Sequence, residues 1–124
     1  PKQARLYRLD SLKIQDLQQI KNSIDSQDGY ADKKVSNLSD LKDDWIKSVI
    51  KRNPDVSFSS DGKTYSMCAT FVANMPQTVN NNYYSDDTWN YSEGQKCFSF
   101  EHKPNYQNQD VSSQIEKPFV PATY

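Results

Sequence analysis

At 124 residues the chain is long enough for one domain and too short for two, and it carries 15 basic against 16 acidic residues, a balance that argues against a nucleic-acid grip built on phosphate neutralisation. One His, two Cys and three Gly leave little material for a metal cage, a phosphate-cradling loop or His-based catalysis, so neither a cofactor nor a metal is expected and the chain does not read as an enzyme. The mean hydropathy of −0.94 is strongly polar, yet eight Tyr, five Phe and two Trp suffice for one modest core, and no apolar run is long enough to span a membrane.

Charge is unevenly placed. Residues 1–62 hold 11 basic and 10 acidic groups, residues 63–124 only 4 and 6. The first half therefore reads as charged helices and the second as neutral strands and loops, with no internal repeat. The fold class expected is α+β: a long N-terminal amphipathic helix on a small antiparallel sheet, with a second short helix between them.

The first helix is expected over residues 2–26. Leu6, Leu9, Ile14, Leu17, Ile20 and Ile24 project within an arc of about 140° and form its core face, with Leu12 on a flank. Lys2, Arg5 and Arg8 precede the first acid, Asp10, and basic residues are unfavourable at a free helix N-terminus. No Ser, Thr, Asp or Asn cap precedes Pro1, so the helix reads as cut from a longer one. The basic start is either a solvated face or a collar beside a membrane anchor. Asp28-Gly29 is expected to end the helix, with Gly29 in the left-handed conformation.

A second helix is expected over 39–52, capped by Ser39 or Asp40. Leu38, Leu41, Trp45 and Val49 mark its buried side, flanked by Ile46 and Ile50, and Asn53-Pro54 stops it. Strands follow at 56–59 and 63–72, joined through Ser60-Asp61-Gly62, and a third at 96–101. Tyr65, Met67, Ala69 and Phe71 share one face, as do Phe98 and Phe100. Cys68 and Cys97 lie on the opposite one. If the aromatics share the core face, the cysteines meet across the outer face of the sheet. The pair reads as one bridge in an exported protein or as two reduced thiols, and the Tyr-, Asn-, Ser- and Thr-rich surroundings favour the bridge.

Asn74 to Gly94 is too long for a tight turn and too polar for core. Its Tyr83, Tyr84, Trp89 and Tyr91 form either a packed loop or a contact surface for carbohydrate or protein. Asp86-Asp87, with Glu93 nearby, matches no calcium-loop spacing. Asn37-Leu38-Ser39 and Asn90-Tyr91-Ser92 fit the N-glycosylation pattern, which is common by chance. His102 is expected on the solvated surface, with no Ser or Asp constellation assignable around it. The domain is expected to occupy 1–103, with 104–124 an extended or disordered tail.

Two strings in this order of elements carry a resemblance. Asp16-Leu17, Ile20 and Ile24 resemble a helix pattern of pilin-like proteins from Gram-positive and candidate-phylum bacteria, with Lys13 where the pattern has Arg and Ser23 where it has Ala. Tyr65-x-x-Cys68-Ala69-Thr70-Phe71, followed by Trp89, Gly94 and Cys97-Phe98, is similar to a second and more specific pattern of those proteins. The chain thus resembles the globular head of a type IV pilin or pseudopilin over residues 13–98. The resemblance implies a structural subunit of a surface filament serving adhesion, motility, DNA uptake or secretion. It also implies partners that are other pilin subunits, met through an N-terminal apolar helix upstream, which anchors the protein in the membrane before assembly. The head alone is then expected to be monomeric, extracellular and without specific nucleic-acid binding. The alternative is a non-polymerising binding module displayed by a membrane-anchored surface protein.

Overall fold

The structure is a computed structural model that describes residues 2–76 and 87–106. In chain order it contains α1 (Lys2–Tyr30), a single 3-10 turn (Leu38–Asp40), α2 (Asp44–Lys51), β1 (Ser57–Ser60), β2 (Thr64–Phe71) and β3 (Gly94–Glu101). The strands form one antiparallel sheet in the order β1-β2-β3. The architecture is α+β, with one disulfide.

The sheet alternates strictly. Tyr65, Met67, Ala69 and Phe71 on β2 and Phe98 on β3 are buried, while Ser66, Cys68 and Thr70 face outward. The inward set joins Leu17, Ile20 and Ile24 of α1 and Ile46 and Val49 of α2 in one core. Full burial of side chains of this size stabilises by roughly 1.5–3 kcal/mol each, so these few residues hold a polar chain together.

Four expectations need correction. Leu9 does not belong to the core face: it is 56% exposed, Leu6 and Ile14 are half-buried, and the inward position near the start of α1 is Asp10. The reason is that β2 ends at Phe71, and the chain beyond it presents the Val72 and Ala73 N–H groups, which Asp10 accepts at 2.9 and 3.0 Å. A carboxylate satisfies that surface and a leucine cannot. Second, α1 runs to Tyr30, and Gly29 does not adopt a positive φ, unlike Gly62 and Gly94. The helical hydrogen bond from Ala31 N–H to the Gln27 carbonyl continues past it at 2.8 Å. Glycine is needed there for close approach instead: a Cβ at Gly29 would lie 2.4 Å from the Tyr106 ring.

Third, residues 39–52 do not form a continuous helix. Asp40 folds back, its carboxylate accepting from the Ser36 and Asn37 N–H groups, and Leu41 is extended. The helix restarts with Asp43 as cap, accepting the Trp45 N–H at 2.9 Å. This break changes the phase: Ile46 turns inward, and Trp45 is 55% exposed instead of buried. Fourth, the packed chain continues past residue 103. Asn105 is buried and donates to the Ala31 carbonyl, and Tyr106 packs edge-on against Tyr30. Residues 107–124 lie outside the described residues.

Candidate functional site

Three segments converge where α1 ends. Asp28 is the next inward position of the α1 stripe, four residues beyond Ile24, and it is fully buried. On β3, Phe98 and Phe100 point inward, and the same alternation carries His102 to the core side just past the strand. On β1, Phe58 and Ser60 share that face. Their polar ends meet. Asp28 Oδ2 lies 2.7 Å from His102 Nδ1, and His102 Nε2 lies 2.6 Å from Ser60 Oγ.

Each member is held by further bonds. Asp28 Oδ1 accepts the Val35 N–H at 2.8 Å, and the His102 N–H donates to the Lys63 carbonyl at 2.9 Å. The Tyr65 ring packs beside the imidazole at 5.0 Å between centroids. Ser60 Oγ accepts the Gly62 N–H at 3.0 Å, within a turn where Gly62 has φ +90. Since a carboxylate only accepts, Nδ1 carries a proton toward Asp28. In the neutral ring, Nε2 is then the acceptor for the Ser60 hydroxyl. Carboxylate, imidazole and hydroxyl thus stand in the order that orients and activates a nucleophile.

The expectation of a solvated His102 is therefore overturned, since only 2% of its side chain is exposed. Its burial follows from the strand period: the residue two beyond Phe100 shares that residue's face. Ser60, two beyond Phe58, and Asp28, four beyond Ile24, carried the same signal.

Other carboxylates on or near α1 act as tethers. Asp16 receives Arg52 through Nε at 3.1 Å and Nη2 at 2.7 Å, together with the Asn53 amide at 2.8 Å. The Arg52 hydrogen bonds are the main reason the Asp16 carboxyl sits below its ordinary range, helped by Asn53 against a desolvation cost. Asp55 accepts the Thr70 N–H at 3.0 Å and meets Lys13 at 2.5 Å. Asp25 accepts the Tyr65 hydroxyl at 2.9 Å; burial first, then this carboxylate, pushes the phenol far upward.

Cys68 and Cys97 are opposite each other in the β2–β3 register and form the disulfide, on the outer face of the sheet beside the Ser66–Ser99 hydroxyl pair. Of the aromatic set read as either a packed loop or a contact surface, Trp89 and Tyr91 are packed inward. Trp89 lies 4.9 Å from Phe98 and 5.4 Å from Phe100, and Tyr91 stacks on Phe71 at 4.4 Å. Inward-facing aromatics on β2 and β3 leave a hydrophobic shelf that the loop rings cover, which is why these two do not face solvent. Tyr83 and Tyr84 lie outside the described residues, as does Asp86. Burial pushes the Tyr91 phenol up to about 12, and its hydroxyl has no hydrogen-bond partner among the described residues.

Among the described residues, no group of three or more His, Cys, Asp or Glu is arranged to hold a metal ion, and no helix is long and apolar enough to cross a membrane. Comparisons with protein-family models, with curated proteins and with solved structures give no significant match.

Proposed function

We propose that this domain is the soluble head of a structural subunit of a type IV pilus or pseudopilus-like surface filament. One observation carries the reading. The string Tyr65-x-x-Cys68-Ala69-Thr70-Phe71 forms the central strand, with Tyr65, Ala69 and Phe71 buried beneath α1 and Cys68 bridged to Cys97. In the pilin-like proteins that the sequence resembles, a long helix laid on such a sheet leaves its apolar upstream extension free to build the filament core. A bridge on the solvent face of the sheet also suits an oxidising, extracellular setting. On this reading the protein is membrane-anchored through an upstream apolar segment before assembly. Its partners are other subunits, and the isolated head is monomeric and binds no specific nucleic acid.

Fractionation of the native cells tests it. Antibodies raised against the domain should detect the protein in filaments sheared from the cell surface. A protein found entirely in the membrane fraction, while filaments from the same cells lack it, would overturn the filament role and favour a displayed binding module.

A further inference from the structure

Ser60 differs from the other serines of the sheet in its surroundings. Ser59, its neighbour, is exposed on the outer face, whereas Ser60 is half-buried and directed at His102. Among the described residues, the Ser66 and Ser99 hydroxyls hydrogen-bond to each other and to no other side chain. Ser60 alone couples to an imidazole whose other nitrogen is fixed on a buried carboxylate. It also receives the Gly62 N–H on Oγ, which favours negative charge there as the hydroxyl proton leaves. The residue is not sealed in. With Ser59, Asp61, Thr64, Tyr65 and Ser66 it lines a shallow surface depression of about 290 Å³, polar apart from one ring.

We propose that Ser60 is an activated nucleophile that accepts short acyl groups from carboxylic esters, with His102 as its base and Asp28 as the positioning residue. Ser60 Oγ attacks the ester carbonyl carbon while its proton passes to His102 Nε2. The bond from that carbon to the alkoxy oxygen then breaks, and the departing oxygen takes the proton from Nε2. The products are an acylated Ser60 and a free alcohol, with the imidazole returned to its starting state. The shallow, hydroxyl-rich depression suits an acetyl group better than a long chain. This inference stands apart from the filament role and does not depend on it.

The test is acetylation of the full chain by p-nitrophenyl acetate, read by peptide mapping. Ser59 provides an internal standard within the same molecule. The expected result is an acetyl ester on Ser60 formed on the order of 100-fold faster than on Ser59, the scale of general-base assistance. Ser60→Ala should abolish that ester, and His102→Gln should reduce its formation to the Ser59 level. Asp28→Asn should slow acetylation of Ser60 toward the Ser59 rate while leaving the Ser59 rate unchanged, because the amide can hold the ring in the wrong tautomer. Equal labelling of Ser59 and Ser60, or no labelling of either in the unmodified protein, would overturn the proposal. Both of those results are read without any variant, so a substitution that fails to fold does not blunt the test.

Discussion

Asp10 and Asp28 stand on the same side of α1, about five turns apart, and both are almost fully buried. They close the two ends of the apolar stripe formed by Leu17, Ile20 and Ile24. Asp10 captures the Val72 and Ala73 N–H groups where β2 ends, and Asp28 captures the Val35 N–H and His102. Asp10→Ala leaves two inward N–H groups unpaired and should cost about 1–3 kcal/mol. Urea unfolding measures it. A loss no larger than at an exposed position would mean that water replaces the carboxylate without penalty.

The α1 stripe makes a paired prediction. Leu17→Ala, at a fully buried position, should cost about 2–5 kcal/mol. Leu9→Ala and Leu12→Ala, at exposed positions, should change stability by less than about 0.5 kcal/mol. Equal losses at all three would place the buried face of the helix elsewhere.

Gly29 inverts an ordinary expectation. Within a helix, Gly→Ala stabilises by about 0.8–1 kcal/mol from propensity alone. Here the new Cβ would meet the Tyr106 ring at 2.4 Å, so Gly29→Ala should destabilise or expel that ring. In a Tyr106→Ala background the same substitution should become stabilising. The same sign in both backgrounds would show that Tyr106 does not constrain the site.

Acid should expose the Asp16–Arg52 tether. The folded-state pKa of Asp16 is depressed below its reference of 3.8, chiefly by the Arg52 hydrogen bonds. Its contribution is therefore fully present above that reference and lost as pH falls through the folded-state value. Arg52→Met should lower stability near neutrality, and the gap from the parent should close as the pH drops below 3.8. A gap that stays constant across that range would assign the loss to packing alone.

The bridge closes a long loop. With a sequence separation of 29 between the cysteines, its removal should cost roughly 3–4 kcal/mol through the unfolded chain's regained freedom. Cys68→Ser/Cys97→Ser should melt well below the parent. An unchanged melting temperature would mean that other contacts already restrain the loop in the unfolded state.

The sequence by itself determined the elements whose signal is a local period. Alternation through Tyr65, Met67, Ala69 and Phe71 separates an inward face from one carrying Cys68. The recurrence of Leu17, Ile20 and Ile24 marks the centre of the helical stripe. Both signals are short-range, because side-chain direction follows from backbone geometry alone. Tertiary structure decided what the ends of those periods do. Trp45 and Ile46 exchange roles because Asp40 and Asp43 break and restart the helix. Within the helix, position 29 must be glycine because Tyr106, far along the chain, occupies the space of its missing Cβ. Asp10, Asp28 and His102 are polar residues on apolar faces, and polarity alone reads as exposure. Burial of such groups becomes favourable only when a partner stands opposite, and those partners, Val72 and Ala73 for one and Val35 and Ser60 for the others, arrive from segments brought near only by folding.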